Sequence, residues 1–199
     1  MLSPLASRKI MNKNTQIVAV ILLLIIGGAR YIDVSKKTIP ASETNTALVA
    51  SFDELSKHGN SSCSATFKDS ITSMSGTAYL KGSCCSPMSM HHYSEQVEGL
   101  KKYKDIKEIP SDPYNIDAGL AKQMLVHYND QLNTEEQMAY DYAMANSKEK
   151  GPCCCKCWRW YVYGGLGKYL IEEYHFTGEQ LTDVWNLSDG CGGDEEHHY

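Results

Sequence analysis

The sequence predicts a small all-α domain of four to six helices, with an irregular N-terminal third and one membrane or signal segment in front of it. From residue 93 onward, apolar residues recur at three- and four-residue spacing, which is the period of an amphipathic helix. Two segments carry capping-box patterns that mark helix starts, and no strand pattern of comparable strength is present. A chain of 199 residues suits one domain with accessory segments.

Residues 1–34 have the pattern of a signal peptide or signal anchor. Basic residues precede an apolar run over residues 17–29. A signal-peptide core needs roughly 7–15 apolar residues and a spanning helix roughly 20, so the length favours a signal peptide cleaved after Ala29. An uncleaved anchor, with Lys13 and Arg30 reaching the two interfaces, stays open. Both alternatives place the rest of the chain on the extracytoplasmic side, membrane-anchored or secreted.

The remaining chain divides by composition. Residues 35–60 are rich in Ser, Thr, Lys and Asn and predict a tether. Residues 61–193 hold the cysteines and predict a Cys-rich helical metal-binding domain, and residues 194–199 form an acidic, His-bearing tail. The formal net charge of −5 argues against nucleic acid as a partner, because nucleic-acid binding needs a clustered basic face.

The first predicted helix begins near Tyr93 and carries Val97, Leu100 and Tyr103 on one face. It ends before residue 110, because the proline there disfavours helical geometry in the residue before it. The second predicted helix covers residues 116–132, again with apolar residues at helical spacing. Residues 63–92, which precede the first predicted helix, are rich in Ser, Thr and Gly and predict no regular element.

The third predicted helix opens at Thr134, whose spacing to Gln137 fits a capping box. In that box the first side chain accepts a backbone N–H and the second reaches back to the start of the helix. The helix presents Met138, Tyr142 and Ala145 to the core and stops before the cysteine cluster that follows it.

The fourth predicted helix begins at Pro152, where the missing proline N–H costs nothing, and runs to about Tyr174. It contains the cysteine cluster in its first two turns, and the glycines in its middle predict close helix packing or a bend. A second capping box, Thr177 with Gln180, opens a last helix that reaches Leu187.

Half of the cysteines form one cluster: Cys153, Cys154, Cys155 and Cys157. On the predicted helix, Cys153, Cys154 and Cys157 line one side and Cys155 points elsewhere. The free N–H groups of a first helical turn stabilise thiolate, and gathered thiolates suit Cu(I) and zinc. The Cys154-x-x-Cys157 spacing also occurs in thiol oxidoreductases. The aromatic residues that follow the cluster either pack in the core or shield the sulfurs from water and keep Cu(I) reduced. They are Trp158, Trp160, Tyr161 and Tyr163.

Further candidate ligands lie on both sides of this cluster. Thiol, thioether and imidazole groups gather at Cys84, Cys85, Met88, Met90, His91 and His92. Soft ligands of these kinds favour copper over zinc. An equally open alternative is that the methionines fill the core and the histidines face solvent. Cys191, which follows the last predicted helix, is a candidate fourth ligand or a disulfide partner for the cluster.

A stretch with Ala and Tyr, residues 140–151, leads into a proline and the cysteine cluster. This arrangement resembles the region around the Pro-Cys-Tyr-Cys-Gly-Cys motif of the small secreted lipoproteins named for that motif. The matching positions are Pro152, Cys153, Cys155 and Cys157. Cys154 and Lys156 replace the Tyr and Gly of the family, and the lipid-attachment cysteine is absent. The resemblance implies an extracytoplasmic, membrane-tethered protein, with metal handling as its role.

Three functions follow from these patterns. The leading hypothesis is an extracytoplasmic, membrane-tethered metal-binding protein rather than an enzyme. It would bind Cu(I) in preference to zinc and act as a chaperone, buffer or sensor, with a membrane protein as a possible partner. The second is a thiol–disulfide exchange protein, although the βαβ setting usual for such motifs is missing. The third is a structural or interaction module stapled by disulfides, since an oxidising compartment makes cysteine pairing the default.

Overall fold

The computed structural model describes residues 41–64 and 66–192, with side chains from residue 45 onward. Within these residues the chain is mainly helical, as predicted, with one short 3₁₀ turn and a two-stranded sheet. The helices are α1 (Ala41–Lys57), α2 (Phe67–Ser73), α3 (Met90–Leu100), α4 (Ala118–His127), α5 (Thr134–Asn146), α6 (Trp158–Tyr174) and α7 (Gly178–Leu187). The strands are β1 (Tyr79–Lys81) and β2 (Asn115–Asp117), and the 3₁₀ turn covers Lys101–Tyr103. The described residues therefore contain more helices than predicted, and a sheet that was not predicted.

Two predicted segments lie outside the described residues. They are the membrane or signal segment, 1–34, and the acidic tail, 194–199. Among the helices that are described, none combines the length and the apolar character that crossing a membrane requires.

The predicted tether contains a helix. Helix α1 carries Leu48, Phe52 and Leu55 at four- and three-residue spacing, which places them on one face. Leu55 is buried against Tyr93 and Tyr114, and this small hydrophobic core fixes α1 to α3. The tether prediction is therefore wrong over α1, because a polar composition concealed a narrow apolar stripe.

Strands β1 and β2 pair antiparallel, with Leu80 opposite Ile116, and both of these side chains are fully buried. The predicted helix over 116–132 is therefore too long at both ends. Its observed counterpart, α4, begins after Asp117, whose carboxylate accepts a hydrogen bond from the Leu120 N–H at 2.8 Å. Ile116 belongs to the sheet because its side chain extends the apolar face that Leu80 begins.

Helix α5 is capped one residue earlier than predicted. Asn133, rather than Thr134, is the N-cap, and its side chain accepts from the N–H groups of Glu135 and Glu136. The Glu136 carboxylate accepts from the Asn133 N–H in return at 2.8 Å, which completes the capping box. Asparagine caps a helix at least as well as threonine, so the earlier residue takes the position.

The predicted inward face of α5 is wrong. Met138 and Tyr142 are 68% and 42% exposed, and Ala145 is exposed as well. Ala143 is the buried residue of this helix, and Tyr140 packs edge-on against the indole of Trp185 with ring centroids 5.3 Å apart. Helix α5 thus turns a different stripe toward its neighbours than the apolar spacing indicated.

Helix α6 lies at the centre of the main core. It packs along α4 and contacts α5, α7 and α2. Trp158, Leu166 and Leu170 are fully buried, and Trp185 of α7 donates its Nε1–H to the Tyr163 carbonyl at 3.0 Å. The prediction of core packing holds for Trp158, which lies directly behind the cysteine loop.

The glycines of α6 mark close helix packing, as predicted. Gly164 faces the ring of Tyr128, and a Cβ at Gly165 would overlap the main-chain carbonyl of Met124 in α4. Helix α6 continues without interruption through them to Tyr174. The second capping box is also observed as predicted, with Thr177 as N-cap of α7.

Replacing Gly165 by alanine is expected to lower the free energy of unfolding by at least about 2 kcal/mol, because the added methyl group forces α4 and α6 apart. Urea denaturation followed by circular dichroism under reducing conditions measures this change. Gly76→Ala is the matched control, since its added Cβ meets no atom within 4 Å. Equal stability of the two variants would contradict the close approach of the helices.

Candidate metal centre

The eight cysteines lie on four loops that meet beside the start of α6. Cys63 follows α1, Cys84 and Cys85 follow β1, residues 153–157 precede α6, and Cys191 follows α7. All eight are free thiols. Residues far apart in the sequence thus supply one site.

The segment that holds four of these cysteines is a loop, so the prediction of a helix from Pro152 is wrong. Helix α6 begins at Trp158, and Cys157 is its N-cap with an extended backbone. In front of the loop, the Ser147 hydroxyl donates to the Gly151 carbonyl at 3.1 Å and accepts from its N–H at 2.8 Å. These bonds hold a turn in front of the loop, and the helix itself begins only at Trp158.

Backbone hydrogen bonds align two of the other cysteine loops. The Cys84 N–H donates to the Gly190 carbonyl at 3.2 Å, and the Ser86 N–H donates to the Cys191 carbonyl at 2.9 Å. The loop with Cys63 is tied to the start of α6, because the Trp158 Nε1–H donates to a hydroxyl two residues before Cys63 at 3.0 Å. The positions of these sulfurs are therefore set by the folded main chain.

Four sulfurs form the inner part of the site. These inner sulfurs belong to Cys84, Cys153, Cys157 and Cys191. The Cys153 Sγ lies 3.3 Å from the Cys191 Sγ and 3.7 Å from the Cys157 Sγ. Cys153, Cys157 and Cys191 are buried and Cys84 is half-buried, so this part of the site is largely shielded from water.

The other four sulfurs form the outer part of the site. These outer sulfurs belong to Cys63, Cys85, Cys154 and Cys155. Cys155, which was predicted to point elsewhere, has its Sγ 2.9 Å from that of Cys63 and 3.9 Å from that of Cys85. The Cys154 Sγ lies 2.8 Å from that of Cys191 and joins the two parts.

Sets of three sulfurs lie within 4.8 Å of one another throughout the site, and each of the eight cysteines belongs to at least one such set. Two thiolates that bind one ion tetrahedrally at a metal–sulfur distance of about 2.3 Å stand about 3.8 Å apart. The spacing and the sulfur donors therefore fit a soft or borderline metal ion, and little movement of the loops is needed to bind one.

Cys63 is the ligand candidate that the sequence analysis did not single out. It stands alone in a Ser-rich stretch with no neighbouring cysteine or histidine, so no local spacing marks it. Its only signal is the total cysteine count. Its place in the site depends on the contact between its loop and Trp158.

Four other predicted ligands have different surroundings. Met88 and Met90 pack against the small core around Leu55, as the core-filler alternative supposes. His91 is exposed and pairs with Glu95, with Nε2 and Oε1 3.3 Å apart, and His92 is half-buried on the same helix. The sulfur sets described above have cysteines as their members, and neither His91 nor His92 belongs to one of them.

A buried cation stands beside the inner sulfurs. Arg159 is fully buried, and its guanidinium donates to the Pro113 carbonyl at 2.7 Å and to the Gly82 carbonyl at 3.2 Å. Among the described residues no carboxylate reaches ion-pair distance of it. A buried charge needs compensation, and the nearby groups that can supply negative charge are the thiolate of Cys84 and the carboxylate of Asp112.

Protons are shared unevenly among the inner sulfurs. Hydrogen bonds from the thiol of Cys153, and then from those of Cys157 and Cys191, hold the pKa of Cys84 well below its usual range. The positive charge of Arg159 lowers the pKa of Cys84 further. The pKa values of the donor Cys153 and of Cys191 are raised. The site therefore carries negative charge at neutral pH before any ion binds.

No protein-family model, curated protein or solved structure matches this chain. The likeness to the lipoproteins with the Pro-Cys-Tyr-Cys-Gly-Cys motif thus rests on the motif residues alone. The geometry of the cysteine site is the firmest basis for inferring a function.

In the reduced, metal-free protein at about pH 7, iodoacetamide is expected to modify Cys154 before Cys63, although both are exposed. Hydrogen bonds from Cys153 and Cys191 lower the pKa of Cys154 to about 3, whereas burial and Cys155 raise that of Cys63 to about 11. Because the thiolate is the reactive form, the rate at Cys154 stays constant from about pH 6 to 8, while that at Cys63 rises about tenfold per pH unit.

Peptide mapping by mass spectrometry over a time course measures both rates. In urea-unfolded protein the two rates should converge, since the shifts depend on the folded site. Faster modification of Cys63 in the folded protein would contradict the assignment of the thiolate.

Arg159→Gln is expected to raise the pH at which the first thiolates form, because the variant removes the buried positive charge that helps to lower the pKa of Cys84. Ultraviolet absorbance of the thiolates during a pH titration of the reduced protein measures that pH. Lys156→Gln is the control, since Lys156 is exposed and its charge is screened by solvent. Arg159→Lys should recover part of the shift. Superimposable curves for Arg159→Gln and the unmodified protein would contradict this electrostatic role.

Proposed function

We propose that this protein binds a soft metal ion, Cu(I) in preference to zinc, through its clustered cysteines, and serves as an extracytoplasmic, membrane-tethered chaperone, buffer or sensor. The observation that carries the proposal is the convergence of eight free thiols from four separate loops. Cysteines kept only for packing would be expected to scatter through the core, each among apolar neighbours.

Cu(I) is favoured over zinc by the donor set and its grouping. Thiolate is the softest ligand that a protein offers, and it selects Cu(I) over harder ions. The sulfurs recur in sets of three, which is a coordination number that Cu(I) accepts and that structural zinc sites rarely use. The four inner sulfurs are also enough for one tetrahedral zinc ion, so zinc is the second candidate.

Burial around the inner sulfurs supports the choice of Cu(I). Trp158 lies behind the cysteine loop and is fully buried, and Cys153 and Cys157 are nearly inaccessible to water. A dry, apolar surround stabilises the lower oxidation state of a bound ion. The same surround limits attack by oxidants on the sulfurs.

The proposed location rests on the sequence of residues 1–34 and on the motif resemblance. An extracytoplasmic compartment tends to oxidise thiols to disulfides. A bound ion would keep the cysteines from pairing there, because ligated thiolates are not free to react. Metal exchange with a membrane protein in the same compartment would then be the role of the tethered domain.

Purified full-length protein, handled under reducing conditions, is expected to take Cu(I) from a chromogenic chelator. Its thiols should become inaccessible to a thiol reagent until the metal is removed. Cys153→Ser should weaken binding at least tenfold, because this buried sulfur belongs to two sets of three. Metal analysis and thiol titration on the same sample provide the measurement. His91→Ala is the control and should bind like the unmodified protein, since its ring is exposed and pairs with Glu95.

Each result separates the candidate functions. Free thiols without metal uptake would contradict the proposal. No metal and no free thiols in unreduced protein would favour a disulfide-stapled module instead. Binding of zinc without binding of Cu(I) would support the metal site but contradict the proposed preference for Cu(I).

A further inference from the structure

The sulfur cluster offers more donors than one ion can use. A single ion takes four thiolates at most in a tetrahedral site. Eight sulfurs stand together here, in an inner and an outer group of four. A one-ion site would leave half of the thiols crowded against it with no function.

The two groups of sulfurs are in direct contact. The Cys84 Sγ lies 3.6 Å from that of Cys85, and the Cys154 Sγ lies 2.8 Å from that of Cys191. Cys157 is within 4.8 Å of both Cys63 and Cys155. Each group therefore touches the other at three places, and an ion bound in one group has sulfurs of the other as neighbours.

Most of the sulfurs are placed to bridge two ions. At least seven of the eight cysteines belong to two or more of the sets of three. For example, Cys153 forms one set with Cys84 and Cys157 and another with Cys154 and Cys191. A thiolate has lone pairs enough to bind two ions at once, so overlapping sets can be filled together through shared sulfurs.

Charge balance also favours several ions. Each thiol that binds an ion releases its proton, so eight ligating thiolates carry eight negative charges. A separate site of three thiolates and one Cu(I) would keep a net charge of about −2, whereas eight thiolates that share about five Cu(I) ions carry about −3 in all, of which the buried guanidinium of Arg159 offsets one. Uncompensated charge is costly in a partly buried site. Several monovalent ions remove most of the excess without any further cation from the protein.

We infer that the eight cysteines hold several Cu(I) ions in one thiolate-bridged cluster that spans the inner and outer sulfurs. This inference rests on the proposed function, since it adds the number and arrangement of the ions. If each ion takes three sulfurs, eight sulfurs accommodate about two ions without sharing and about five with every sulfur shared, so three or more ions require bridging sulfurs. Copper stays in the Cu(I) state throughout, and the only chemical change is the exchange of thiol protons for ions.

Native mass spectrometry of the full-length reduced protein, titrated with Cu(I), counts the ions directly. The expected result is a final species with about three to five copper ions per chain, formed with little accumulation of the one-ion species. X-ray absorption of the loaded protein should show sulfur as the nearest neighbour of copper and a second copper just beyond.

The number of bound copper ions in cysteine variants and in one control tests whether the cluster sulfurs hold the ions. Cys63→Ser combined with Cys85→Ser removes two outer, exposed sulfurs and is expected to lower the final number by at least one ion while leaving a copper-binding protein. Cys153→Ser removes a sulfur shared between sets and is expected to cost more ions than loss of Cys63 alone. Met90 packs against the small core beside α1, so the control variant Met90→Leu should bind the full number of copper ions.

The outcomes separate this inference from the proposed function. A final species with one or two copper ions would overturn the bridged cluster and leave the metal-binding function standing, whereas no copper at all would overturn both. Several ions without a copper–copper distance would contradict a single bridged cluster. An unchanged count in the Cys63→Ser, Cys85→Ser variant, with native circular dichroism, would show that the outer sulfurs are not ligands.

Discussion

The arrangement of the cysteine loops depends on the hydrogen bonds and the ring contact that the buried guanidinium of Arg159 makes. The guanidinium donates to the carbonyls of Gly82, just before one pair of cysteines, and of Pro113, just before β2. It also lies over the Trp158 ring, 4.7 Å from the ring centroid. A side chain at Gly190 would displace it, so the loop that carries the last cysteine can approach only because that residue is glycine. One side chain thus joins three loops to the start of α6.

This arrangement links folding, protonation and metal binding in one site. Negative charge on the Cys84 thiolate and on Asp112 stabilises the buried cation, and the cation in turn stabilises that thiolate. The ligands come from residues 63 to 191, so they meet only when the chain is folded. Under the proposed function, metal binding would stabilise the folded state, because the unfolded chain offers no preformed site. The loops have little other regular structure, so the centre itself contributes to holding them.

Local patterns in the sequence predicted local structure well. The capping box at Thr177 is determined by residues within three positions of one another, and it is observed. The α6 glycines are a local signal of close packing, but the residues they pack against lie in α4. The helix expected from Pro152 begins only at Trp158, and residues 153–157 form a loop whose sulfurs lie against those of distant loops. Spacing along the sequence does not reveal such contacts. The gathering of the cysteines was predicted in part, from their grouping. The contribution of Cys63 was not, because it depends on contacts across the fold.

Exposure differs sharply between the two sides of the sulfur cluster. Within the described part of the chain, Cys63, Cys85 and Cys154 reach the surface, whereas Cys153, Cys157 and Cys191 are covered by α6 and the loops around it. Under the proposed function, an ion would meet the exposed sulfurs before the buried ones, so the outer part of the site would exchange its ions more readily than the inner part.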